Sequence, residues 1–171
     1  NALWDLTGKA LDQPVWKLLG GVQDKLWAYA AGGYYEEGKG LPELCEEMEA
    51  YVNQGFQAVK MKVGWPGVTL KEDAERVRAV REAIGEDIAL MIDANNAWDA
   101  HTAIRFGRMI EAYDPYLYEE PVRPDDLEGS AKVAEALDVP IASGENEFTR
   151  WGFRDLIERG GVTIVQADPN S

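Results

Sequence analysis

Cysteine is nearly absent from this 171-residue chain. Cys45 stands alone, so no internal disulfide can form, which leans toward a reducing, cytoplasmic setting. Within "PELCEEM" it reads as a helix residue. Histidine is equally scarce, with His101 the single example. No apolar run reaches the roughly 18 residues that a membrane span requires. The opening "NALWDLTGKALDQ" lacks the basic stretch and apolar core of a secretory signal. Positive charge is in short supply: 17 basic residues face 31 acidic ones, for a formal net charge of −14. That excess repels phosphate and argues against nucleic acid or an anionic membrane as partner. A glycine-rich phosphate loop is also missing. "AAGGYY" does not supply a G-x-G-x-x-G motif that opens a helix, which weakens a nucleotide-binding reading.

What is present is alternation. Residues 1–21 read as a helix with Leu3, Leu6 and Ala10 on one side, a break at "DQP", and a short helix "PVWKLL" that begins on Pro14 and stops at Gly20-Gly21. Six strand-like runs follow: "KLWAYAAGG", "FQAVKMKVG", "IALMIDANN", "YLYEEPV", "VPIASGEN" and "VTIVQAD". Five amphipathic helices separate them. The first places Leu41, Leu44, Met48 and Tyr51 on one face, and the second opens with Thr69 and Glu72 in capping-box spacing. Asp99 caps the third. Strands that are apolar on both faces, separated by amphipathic helices, imply a parallel sheet covered by helices. An open doubly wound sheet and a (β/α)8 barrel both satisfy the pattern.

The ends of these strands carry charge. Lys60 and Lys62, Asp93, Glu119, Glu145 and Asp168 recur at intervals of 31, 26, 26 and 23 residues, each about one strand-plus-helix unit. In a parallel barrel those ends share one mouth, where the chemistry is placed. Three converging carboxylates repel unless a cation lies between them, and hard oxygen donors favour Mg²⁺. "YLYEEPV" then makes sense: Glu119 turns toward a metal while Glu120, one residue on, points the other way. Lys60 and Lys62 emerge on one face of their strand, and proximity is expected to lower the pKa of the pair so that one serves as a base. A metal opposite a base suits removal of a proton next to a carboxylate, the step shared by racemisation, dehydration and cycloisomerisation.

The ordered set "KMK", "DANNAW", "YEEPV", "SGEN" and "QAD" resembles the enolase superfamily, in its mandelate racemase-like subgroup. "ALWDLTGKALDQPVWKLLGG" is similar to the helix leading from that family's capping domain into its barrel. The resemblance implies a partial (β/α)8 barrel, with residues 1–24 as lead-in from a missing capping domain and residues 25–171 as an incomplete catalytic barrel. It implies Asp93, Glu119 and Glu145 as ligands of Mg²⁺, with Mn²⁺ as an alternative ion. Lys62 is implied as base, with Lys60 beside it tuning its pKa and touching the substrate carboxylate. Asn95 is implied as a substrate contact. Asp168 is implied as the partner of a histidine on the next strand, which lies beyond the chain; His101, in the helix after the third strand, cannot take that role. "GENEFTRWGFRDLIERGGVTIVQAD" looks most like the sugar-acid dehydratases, such as those acting on rhamnonate or galactonate. The expected activity is dehydration of a sugar acid to a 2-keto-3-deoxy acid. The alternatives are a racemase or epimerase of the same superfamily and an inactive, metal-binding truncated fragment. Exposed strand edges lead to the expectation of a homo-oligomer.

Overall fold

The computed structural model describes residues 1–168. Helices α1 (Ala2–Leu11) and α2 (Val15–Leu18) precede β1 (Ala30–Gly32), α3 (Leu41–Asn53), β2 (Ala58–Lys62) and α4 (Leu70–Ile84). The alternation continues through β3 (Ala89–Asp93), α5 (Ala100–Ile110), β4 (Leu117–Glu119), α6 (Leu127–Ala136), β5 (Ile141–Ser143), α7 (Thr149–Arg159) and β6 (Ile164–Val165). The six strands form one parallel sheet in the order β1-β2-β3-β4-β5-β6. Strictly sequential order with helical crossovers of one hand places the helices on one face of the sheet. No helix of the described residues is long and apolar enough to cross a membrane.

Local chemistry sets the helix starts. The Thr69 hydroxyl accepts the Glu72 N–H at 3.3 Å, and the Glu72 carboxylate accepts the Thr69 N–H at 2.7 Å, which closes the expected capping box of α4. Asp99 accepts the Thr102 N–H at 2.8 Å and caps α5, as its place in the sequence suggests. Asp126 does the same for α6 through Gly129.

Two apolar layers follow from the period of two. Val59, Met61, Leu90, Ile92, Tyr118 and Ile141 meet Leu44, Met48, Val77, Val80, Phe106 and Val133 of the helices in the main core. The opposite face carries a smaller cluster of Ala58, Met91, Leu117 and Ala142. Lys60 and Lys62 belong to that second face by parity, with Met61 buried on the first.

The strands are shorter than the apolar runs that announce them. In "YLYEEPV" the ladder ends at Glu119, because Glu120 takes a left-handed backbone (φ 42°) and Pro121 has no N–H to donate. In "KLWAYAAGG" only Ala30–Gly32 pairs, while Leu26 and Trp27 stay exposed. The first helix differs more. Leu3 and Leu6 are 79% and 64% exposed, and Gly8 is the one buried residue of α1. The apolar side read from the sequence therefore finds no core among the described residues.

Candidate functional site

Parallel register brings the charged strand ends into a row. Lys62 lies opposite Asp93, Asp93 opposite Glu119, and Glu119 opposite Ala142. One residue type per strand at one level of the sheet is what the repeat of about one unit demands.

The side chains of this row are tied by charge. The Lys60 ammonium donates to Glu119 Oε2 at 2.6 Å and lies 3.7 Å from Asp93 Oδ2. The Lys62 ammonium donates to the same Asp93 oxygen at 2.5 Å and to Asn95 Oδ1 at 2.6 Å. The Asn95 N–H returns to Asp93 Oδ1 at 2.8 Å. Asp93 and Glu119 are each 1% exposed. Two anions at that depth require matched positive charge, and two lysines supply it.

The expectation of a lowered lysine pKa is corrected for Lys60. Burial works against its charge, yet the hydrogen bond and charge of Glu119, the Tyr29 hydroxyl and the charge of Asp93 outweigh burial and hold the ammonium above the ordinary lysine value. An opposite charge 2.6 Å away decides the sign against both burial and the neighbouring lysine.

Two cavities flank the row. One, of about 460 Å³, is lined by Lys62, Asn95, Tyr34, Tyr35 and Trp65 among others. The other, of about 570 Å³, is lined by Lys60, Glu119, Glu145, Gln166 and Asp168, with Trp27 and Tyr29 on its wall. Every site residue read from the sequence except Asp93, which is buried beneath the lysines, therefore lines one of the two cavities.

Glu145 and Asp168 stand apart from the buried group. Glu145 lies two residues beyond the end of β5, Asp168 three beyond β6, and both are exposed. Among the described residues no three side chains of His, Cys, Asp or Glu are gathered closely enough to hold a metal ion. Asp93 and Glu119 are brought together, with ammonium groups where a cation is expected, and Glu145 does not join them. The donor set remains one of hard carboxylate oxygens, the chemistry that Mg²⁺ prefers.

Several residues of the site went unread in the sequence. Tyr29 and Tyr34 place their rings 5.0 and 5.9 Å from the Lys60 and Lys62 ammonium groups. Asp73, buried at the start of α4, accepts the Tyr35 hydroxyl at 2.5 Å and the Gly64 N–H at 2.8 Å, and so ties the loops after β1 and β2. Gly64 is glycine for a reason: its φ is 82°, and a Cβ would lie 2.5 Å from that of Ala97. Arg76 stacks 4.1 Å above the Tyr35 ring and donates to the Gly33 carbonyl at 2.7 Å. Capping-box spacing placed Asp73 in the first turn of a helix, but nothing in the sequence announced its long-range partners.

Residues 43–171 match the family described as Enolase C-terminal domain-like. The arabinonate dehydratase of Saccharolobus solfataricus is 44% identical over 168 residues, which is 98% of this chain and 44% of that protein. The 3,6-anhydro-alpha-L-galactonate cycloisomerase of Streptomyces coelicolor is 40% identical over 98% of this chain and 45% of that protein. The crystal structure of a racemase from Streptomyces coelicolor A3(2) with bound magnesium has a TM-score of 0.88 at 39% identity, covering 98% of this chain and 46% of that one. The chain belongs to the enolase superfamily, among its mandelate racemase-like members, and spans less than half the length of these relatives.

Proposed function

We propose that the protein takes part in Mg²⁺-assisted removal of the proton alpha to the carboxylate of an acid sugar, followed by loss of the β-hydroxyl to give a 2-keto-3-deoxy acid. The observation that carries this reading is the in-register row Lys62, Asp93, Glu119 with Lys60 beneath it, two amines and two buried acids on one face of the sheet. Relatives that include dehydratases for arabinonate and galactonate support the substrate class.

Asp93 and Glu119 are the residues that would hold the ion, with Glu145 brought in from the cavity rim. When bound, Mg²⁺ supplies positive charge that stabilises the extra negative charge developing on the substrate carboxylate. Lys62 is the base that takes the α-proton as the electron pair moves toward the carboxylate; the β C–O bond then breaks, the hydroxyl leaving as water with that proton, and the enol so formed tautomerises to the 2-keto acid. Lys60, beside it and charged, binds the substrate carboxylate and holds it against the row. Asn95 orients the group nearest Lys62. Asp168, on the wall of the neighbouring cavity, serves the opposite face of the α-carbon. In this reading residues 1–24 are the helical lead-in from a capping domain, and residues 25–171 belong to the barrel.

A cycloisomerase reading is favoured by two relatives of that activity, for 3,6-anhydro-alpha-L-galactonate and D-galactarolactone. It shares the proton abstraction and differs in what leaves. A panel of acid sugars and their lactones, followed with the intact protein for 2-keto product and for ring opening, separates the two. Dehydration predicts a 2-keto-3-deoxy acid from at least one sugar acid. Magnesium binding with no keto product from any sugar acid overturns it. In the same protein Glu119→Gln is expected to weaken Mg²⁺ binding sharply, as measured by calorimetry, and unchanged binding removes Glu119 from the site.

A further inference from the structure

Glu120 is as deeply buried as Glu119 (1% exposed) and serves neither lysine. Its carboxylate spans two amides: Oε2 accepts from Asn96 Nδ2 at 2.9 Å, and Oε1 accepts from Asn146 Nδ2 at 2.7 Å. Its backbone repeats the link. The Glu120 N–H donates to the Ala142 carbonyl at 2.9 Å, and its carbonyl accepts the Asn96 N–H at 2.8 Å. Glu120 and both residues 95 and 96 have positive φ, so these chain segments leave the pleat together.

The location gives these bonds their consequence. The ladders end at Asp93, Glu119 and Ser143. Beyond those points the continuous ladders stop, and one isolated bridge, Trp98 with Val122, remains between the loops after β3 and β4. Asn96 follows Asn95, and Asn146 follows Glu145, so each amide adjoins a residue of the proposed site.

We propose that Glu120 is a positioning residue: by spanning Asn96 and Asn146 it sets the loops after β3 and β5 relative to each other, and with them Asn95 and Glu145. The inference rests on the reading of Glu145 as a metal ligand only for its effect on Mg²⁺. The span itself is a property of the protein without the ion.

Reach and charge make opposite predictions for two conservative variants. Glu120→Asp keeps the charge but withdraws the carboxylate by one methylene, too short to meet both amides. Glu120→Gln keeps the length. The buried Asn96 Oδ1 has no hydrogen-bond partner, so Asn96 can turn its amide and accept from the new Gln Nε2. In the intact, metal-free protein, NMR is expected to show slow exchange of the Asn96 and Asn146 side-chain amide protons. Glu120→Asp and Glu120→Ala lose that protection at both amides, while Glu120→Gln retains it at Asn146, whose Nδ2 still meets a side-chain oxygen. Calorimetric Mg²⁺ affinity is expected to fall by about tenfold or more in Glu120→Asp and Glu120→Ala, the range for residues that orient ligands. It changes less in Glu120→Gln. Fast-exchanging amides in the native protein overturn the proposal, as does a native-like Glu120→Asp beside a Glu120→Gln as impaired as Glu120→Ala. If the native protein binds no Mg²⁺, the proposed function falls, and the amide exchange alone still decides the role of Glu120.

Discussion

Strands β2–β4 and strands β5–β6 both carry acids beyond apolar runs, and the two groups meet different surroundings. In the first, five-residue strands β2 and β3 and the shorter β4 bury Asp93 and Glu119 under Lys60 and Lys62. In the second, strands of three and two residues leave Glu145 and Asp168 exposed, and Val165 on β6 is 41% exposed. A strand with partners on both sides can bury an acid if the next strand offers a cation at the same level. β6, at the edge of the described sheet, has one neighbour only, and β5, though paired on both sides, ends at Ser143, two residues short of Glu145. The same residue type at the same place in the repeat is therefore fixed in one half and poised in the other.

Removing the cation of the buried half should have the largest effect. Lys60→Met leaves Glu119 without its partner at 2.6 Å and Asp93 short of one neighbour. A loss of about 3–5 kcal/mol in unfolding free energy, measured in urea, is the range for a broken buried pair. A loss below about 1 kcal/mol would show that water reaches Glu119 and that the two halves are alike. Glu145→Gln sharpens the contrast from the other side. Stability should change by no more than about 0.5 kcal/mol, as at other exposed positions. Mg²⁺ affinity should nonetheless drop by about tenfold or more, measured by calorimetry.

The smallest effect concerns a carboxylate of intermediate exposure. Glu47 on α3 accepts from Lys39 at 2.7 Å, from the Tyr51 hydroxyl at 3.0 Å and from the Gly33 N–H at 3.2 Å. Burial raises its pKa, but Lys39, Tyr51 and Gly33 together outweigh burial and leave it below the ordinary glutamate value. A lowered folded pKa means that the contribution to stability is present above the unfolded pKa and is lost as pH falls through the folded one. Glu47→Gln should flatten the acid limb of a stability–pH curve in that window and leave neutral and alkaline stability little changed.

Period and spacing made much of this legible. The alternation of apolar runs and amphipathic stretches gives six strands and the helices between them, and the caps at Thr69 and Asp99 follow from spacing alone. The recurrence of charge at strand ends gives the row Lys62, Asp93, Glu119. What spacing does not reveal is which charges neutralise which. Lys60 lies 59 residues from Glu119, and only the register of β2, β3 and β4 brings them together. The same holds for Tyr35 with Asp73 and for Asn146 with Glu120, where polar residues meet through loops without a period. The face of Leu3 and Leu6 shows the reverse limit. An apolar stripe predicts that something will cover it, and says nothing of whether the cover lies in the same stretch of chain.

Sequential strand order also bears on how the chain acquires its shape. Among the described residues each strand pairs with its immediate predecessor and successor alone, and α3 packs on α4, α4 on α5, α5 on α6 and α6 on α7. Loops closed one unit at a time are short, so little entropy is surrendered before each new contact forms. A nascent polypeptide emerging from the ribosome can therefore add βα units to a growing edge without waiting for its distant end. The segment around β2, α4 and β3 is where the longer strands and the main apolar layer coincide.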